Sequence, residues 1–193
     1  AQRELVAMSE AVFTDALARD YLSTGWLVAW RAVVPDYLAW QRSRESDGWR
    51  WLAAEERRRV DFDTPAGRAV ALIGRLDRVD AGAQGIAVID YKTTRRETLQ
   101  RRAGEPGEDV QLAVYALLHG GPVAQALYVT IDRDGVHEVP LETDLAGLAA
   151  DCRERLLLLV DAIHDGARLP AQGTDAECTH CDMQGLCRRS HWP

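Results

Sequence analysis

Lysine is all but missing from this chain: of 23 basic residues, 22 are arginine and one, Lys92, is lysine. The sequence uses Arg wherever Arg could serve. The lone Lys therefore marks a place where a compact amine able to take part in proton transfer is needed, because a guanidinium stays protonated at any ordinary pH. Long apolar runs are missing too. None reaches the roughly 18 residues of a membrane span, and the longest, Gly25 to Ala32 and Leu156 to Val160, run into Arg31 and Asp161. No leader of basic, apolar and small residues follows Ala1, which stands where Met would, so a piece of a longer protein is expected. Net positive charge is absent: the formal charge of −7 excludes a broadly basic nucleic-acid coat, but it permits a local basic groove beside an acidic metal site. There is no internal repeat or low-complexity segment. What remains, 193 residues that are 47% hydrophobic and 27% charged, reads as a soluble globular domain with an appended helical piece.

Hydrophobic spacing orders the elements. Residues 1–22 carry Leu5, Met8, Val12 and Ala16 at helical spacing. A second helix is predicted from Gly25 to Arg44, kinked or broken at Pro35, with Trp26, Trp30, Val33, Val34, Tyr37 and Trp40 as a core-facing stripe. From Trp51 to Phe62 the period changes to that of a strand, and Thr64 to Gly67 is a turn. Arg68 to Asp80 and Ile86 to Tyr91 form two more strands around a hairpin loop at Ala81 to Gly85. Thr93 to Gly107, polar and Arg-rich, is expected to be an exposed loop. A helix from Asp109 to His119 stops at Gly120-Gly121-Pro122, strands follow at Ala124 to Asp132 and Val136 to Leu141, and a long helix runs from Thr143 to Gly166. The expected architecture is an α/β (α+β) fold with a central mixed sheet flanked by helices. It divides into an N-terminal helical region (1–50), a core (51–170) and a cysteine-bearing tail (171–193).

Two short runs concentrate the chemistry: Gly74-Arg75-Leu76-Asp77-Arg78-Val79-Asp80 and Val88-Ile89-Asp90-Tyr91-Lys92-Thr93. Two residues apart on a strand, Asp90 and Lys92 leave the same face, and the neighbouring hairpin strand can bring Asp77 beside Asp90. Two carboxylates with an ammonium next to them suit phosphodiester hydrolysis. A hard divalent cation such as Mg²⁺ or Mn²⁺ takes carboxylate, carbonyl and water oxygens, here from Asp77, Asp90 and the Tyr91 backbone, and Lys92 can position or deprotonate the attacking water. The plainer alternative makes Asp77 and Asp90 turn-proximal acids in ordinary ion pairs. Against it, Ile86 to Ile89 is almost wholly apolar, so Asp90 ends a buried strand, where an ionisable group is costly without a role. Glu55 or Glu56 is a further acid for the site, and strand parity with Val60 and Phe62 favours Glu56.

These runs resemble the PD-(D/E)xK nuclease superfamily, with its restriction-endonuclease-like core, and in particular its RecB-type branch. That branch carries a Gln-x-x-x-Tyr helix, and Gln111-Leu112-Ala113-Val114-Tyr115 is similar to it. The resemblance implies that Gln111 and Tyr115, on one helix face at i and i+4, look into the active site. It extends from Gly74 to Arg189, and within that branch the chain resembles the C-terminal nuclease domain of AddB-like helicase–nucleases. It implies a cytoplasmic, Mg-dependent DNA exonuclease for double-strand-break repair by recombination, partnered by a helicase domain or subunit. A different reading keeps the fold as a catalytically weak or inactive DNA-binding scaffold.

The tail spacing Cys178-x-x-Cys181-x5-Cys187 is a chelating one. A zinc site would recruit His180 or His191, and an iron–sulfur cluster would want a fourth Cys. In AddB-like domains, the resemblance implies, a 4Fe-4S cluster joins three tail Cys to one upstream of the core. Here no Cys precedes Asp77 and the only other is Cys152, best read as a small buried hydrophobe. The family's N-terminal catalytic His is also missing, since all five His follow Gln111. The first expectation is that the fourth Cys and this His lie upstream of Ala1, leaving the cluster incomplete in this chain; after it come a cluster that is absent and Cys152 as the substitute ligand. Arg78, Arg95 and Arg96, with Arg57 to Arg59, Arg101 and Arg102 as further basic groups, are the expected DNA-phosphate contacts.

Overall fold

A computed structural model of the chain describes residues 2–20, 23–104, 110–141, 144–168, 178–179 and 181–187. Helices α1 (Gln2–Leu17) and α2 (Ser23–Ser46) precede strands β1 (Arg50–Asp63), β2 (Ala69–Gly82) and β3 (Gly85–Lys92). Then come α3 (Arg96–Gly104), α4 (Gln111–His119), β4 (Gln125–Asp132), β5 (Gly135–Pro140), α5 (Leu145–His164) and a short α6 (Gln184–Cys187). The strands form one sheet in the order β1-β2-β3-β4-β5. All neighbouring pairs are antiparallel except β3 with β4. This is the mixed α+β sheet expected, because a parallel step requires a helical crossover and α3 and α4 supply it.

The alternation that identifies β1 is visible from Glu56 onward, where even-numbered residues are partly buried and odd-numbered ones exposed. Ala87 to Asp90 are buried almost completely, as the apolar run of β3 requires. One sheet face, built from Leu76, Val79, Val88, Tyr128 and Val139, packs on Leu99, Leu112, Tyr115 and Leu118 of α3 and α4. Close approach of α4 depends on Gly74, where a Cβ would lie 2.5 Å from Leu118 Cδ1. The other face offers Ile89, Leu127 and Val129 to Trp40 of α2. The α1 helix rests on α2 through Trp30, whose indole donates to Ser9 Oγ at 2.6 Å, and through the Arg31–Glu10 ion pair.

Four expectations need correction. The segment after Lys92 is not a loop throughout: 96–104 is helical, because Leu99 and Ala103, at i and i+4, reach the core while strong helix formers fill the rest. Pro35 neither breaks α2 nor divides it. The α2 aromatic stripe is only partly core: Val33 and Val34 are buried, yet Trp26 is 60% exposed. Arg78, expected on DNA, is buried at 4% exposure. Its guanidinium donates to Asp80 (2.7 and 3.1 Å), to Gln41 Oε1 (2.7 Å) and to Tyr91 Oη (3.1 Å), so it faces the interior beneath α2.

Candidate active site

At the carboxyl end of β3, residues Asp90 and Lys92 leave the sheet on the face covered by α4, while Tyr91 between them points toward α2. The register places Arg78 opposite Ile89. One residue further, Asp77 turns its carboxylate across the strand end, where Oδ2 accepts the Tyr91 backbone N–H at 3.2 Å and Oδ1 accepts the Tyr115 hydroxyl at 3.1 Å. Asp90 Oδ1 accepts from Gln111 Nε2 at 2.6 Å, and Oδ2 lies 2.7 Å from Lys92 Nζ. Lys92 in turn donates to Gln111 Oε1 at 2.8 Å. Gln111 therefore joins the acid and the amine through the two ends of one amide, while Tyr115, a turn later on the same face of α4, holds the other acid.

The site is asymmetric in its solvation. Asp90 is 2% exposed, and its Oδ2 makes no well-aligned hydrogen bond among the described residues although the ammonium is close. Burial raises the Asp90 pKa; hydrogen bonding to Lys92 and Tyr115 and the Lys92 charge pull it back, and the Asp77 charge pushes it up again. The Tyr115 phenol is raised as well, first by burial and then by Asp90 and Asp77, so it stays a proton donor. The Lys92 side chain is 29% exposed, and its ammonium sits 5.5 Å from the centroid of the Tyr128 ring. Tyr128 was invisible as a site residue in the sequence: it is opposite Asp90 only through the β3–β4 register, which no local pattern encodes.

Buried and half-buried carboxylates that converge beside an unbonded oxygen form a donor set suited to a hard cation. The donors present, Asp77, Asp90 and the Tyr91 carbonyl, fit such an ion in kind. Among the described residues no group of three His, Cys, Asp or Glu side chains converges to hold a metal. Glu56 lies opposite Leu76, beside Asp77 in sequence, but is ion-paired with Arg58 at 2.9 Å. Its neighbour Glu55 pairs with Arg75 and has a positive φ of 52°, uncommon for a residue with a side chain.

The arginines divide by environment. Arg95 and Arg96 are exposed at the start of α3, three and four residues past Lys92, and Arg101 and Arg102 are exposed in its last turn. Arg57 and Arg59 are exposed, Arg59 paired with Asp61. In the tail, Cys178 and Cys187 are half-buried and Cys181 is exposed. The Cys181 N–H donates to the Cys178 carbonyl and Met183 N–H reaches Cys181 Sγ at 3.4 Å. His180 and His191 lie outside the described residues. Cys152 is half-buried in α5, where burial raises its thiol pKa.

A family profile described as the PD-(D/E)XK nuclease superfamily matches residues 1–188. No curated protein matches. Among solved structures, one titled "Crystal structure of SSO0001" aligns at 17% identity and a TM-score of 0.47, over 94% of this chain and 79% of that one. That likeness is too distant to add to the fold assignment.

Proposed function

The chain belongs to the PD-(D/E)XK nuclease superfamily, and from that premise we propose that it hydrolyses DNA phosphodiesters with Mg²⁺ or Mn²⁺ held by Asp77, Asp90 and the Tyr91 carbonyl. The observation that supports this most directly is the gathering of Asp77, Asp90, Lys92, Gln111 and Tyr115 at the carboxyl end of β3, where α4 bonds both acids, Tyr115 to Asp77 and Gln111 to Asp90 and Lys92. A bound divalent ion supplies Lewis acidity and lowers the pKa of water. The protein's share is positioning. Tyr115 holds the Asp77 carboxylate by donating to it, and Gln111 fixes the Asp90–Lys92 spacing. Lys92 carries a proton donor to the place where charge develops on the phosphate, or orients the attacking water. Arg95 and Arg96 follow Lys92 closely enough to take flanking phosphates.

The biological setting we propose is the nuclease domain of a helicase–nuclease that resects double-strand breaks, acting as an exonuclease. The supporting pattern is the Gln-x-x-x-Tyr helix together with the tail Cys178, Cys181 and Cys187, which would contribute to an iron–sulfur cluster completed from elsewhere. Asp77→Ala, Asp90→Ala and Lys92→Ala should each lower Mn²⁺-dependent cleavage of linear DNA by about 10²-fold or more. Near-normal cleavage by any one of them removes that residue from the mechanism. Calorimetric titration of the native chain with Mn²⁺ separates an enzyme from a scaffold: no binding that depends on Asp77 and Asp90 favours the scaffold.

A further inference from the structure

Lys92 is a point charge on a flexible four-carbon stem, and such a charge acts only where something holds it. Its polar holders are Asp90 Oδ2 at 2.7 Å and Gln111 Oε1 at 2.8 Å. Both have other tasks in the site, since Gln111 also bonds Asp90 and Asp90 is a carboxylate suited to a cation. We propose that Tyr128 is a positioning residue for this lysine: the face of its buried ring holds the ammonium and keeps it aimed beside Asp90. The inference rests on the nuclease reading and adds to that site a residue from β4.

Register brings the ring there. Strands β3 and β4 run parallel with Asp90 opposite Tyr128 and Lys92 opposite Thr130, so the side chains at these four positions leave one face of the sheet. That face is the one closed by α4, where Tyr128 packs in a single cluster with Leu76, Val88, Leu112 and Tyr115. At 1% exposure the ring is wedged in place. The Lys92 ammonium lies 5.5 Å from its centroid. A cation over a ring face is attracted by the ring quadrupole out to about 6 Å.

A plain core position asks only for apolar volume. Here the negative face of an aromatic ring meets the single lysine of the chain. Because the ring is sealed from water, solvent does little to dilute that attraction. Its neutrality also matters. A third carboxylate at this place would hold the ammonium as well, but it would compete with Asp77 and Asp90 for a divalent cation. A ring steadies the amine without that competition.

The test uses the whole chain, in which lysine isotope-labelled at Cε reports Lys92 alone. In the native chain the Lys92 Hε signals should lie upfield of those of an unstructured lysine, shielded by the Tyr128 ring current. Tyr128→Phe should keep that shift, and Tyr128→Leu should abolish most of it. In Mn²⁺-dependent cleavage Tyr128→Leu should lower kcat about tenfold with KM little changed, and Tyr128→Phe should restore it. Tyr128→Phe carrying a trifluorinated ring, which drains the negative face at nearly constant size, should lower kcat again. An upfield shift that survives Tyr128→Leu overturns the inference, as does a trifluorinated ring that supports cleavage as fast as the plain Phe ring. If Tyr128→Leu fails to fold, the two Phe variants decide. A Tyr128-dependent shift in a native chain that cleaves no DNA leaves the contact standing and removes the nuclease reading instead.

Discussion

Asp90 carries the sharpest conflict between stability and chemistry in the chain. It is ionisable, nearly sealed from water, and raised in pKa by burial and by Asp77 despite the help of Lys92. A carboxyl whose folded pKa lies above its unfolded value binds more protons folded than unfolded. Its ionised form therefore costs the fold stability, and the cost fades as pH falls through the raised pKa toward the ordinary range. Asp90→Asn should accordingly lose metal-dependent cleavage yet melt at a higher temperature than the native chain at neutral pH. The gap between the two melting curves should narrow on acidification; a gap that widens would mean the Lys92 contact outweighs the burial. The Asp77, Asp90, Lys92 pattern was readable because strand parity alone puts Asp90 and Lys92 on one face and an apolar run makes the acid conspicuous. Arg78 was not, because whether a charged residue is exposed depends on partners far away in sequence. Its partner Asp80 is shared with Arg44, which donates Nε at 2.5 Å from α2.

Elements with strong periodicity were legible in the same way, and α3 shows where that logic ends. Its single buried large apolar residue, Leu99 at 2% exposure, gives no repeating signal in a segment otherwise rich in Arg, Glu and Gln. Its helix formers need the sheet face that receives Leu99 and Ala103 to fix them as a helix, and a sheet face is a tertiary fact. Leu99→Ala should cost about 2–5 kcal/mol in urea unfolding. If α3 is held by that one contact, hydrogen exchange in 96–104 should rise more than in α4. A cost below about 1 kcal/mol would show α3 is anchored by other means. The consequence reaches function, since Arg95 and Arg96 enter α3 directly from the end of β3.

The molecule as a whole is joined across its α2 face by a charged cluster, not by apolar packing alone. Arg44 from α2 and Arg78 from β2 both bond Asp80, and Arg44 also reaches Glu138 on β5 and Gln125 on β4. Arg44, Arg78 and Asp80 are buried at 4%, 4% and 0% exposure. Removing one partner of such a cluster strands the others, which costs about 3–5 kcal/mol. Asp80→Ala should therefore lower the urea midpoint sharply, and added salt should not restore it, because buried pairs are little screened. A shift within ordinary surface-mutation range would mean that water enters the cluster. At this scale the sequence yielded the layer architecture and the strand order within each hairpin. It did not yield the joint between α2 and the sheet, whose members come from four separate elements.

Strand β1 borders the sheet along fourteen residues, and an open border of that length invites other chains to add to it. The outward-facing residues Glu55, Arg57, Arg59, Asp61 and Asp63 are all charged and carry both signs along its exposed side. An incoming strand would have to bury that row, and like charges would meet whenever its register slipped. The hairpin thus has two tasks: β2 carries Asp77 to the site beside Lys92, and the charges of β1 oppose polymerisation of the folded chain through its own edge.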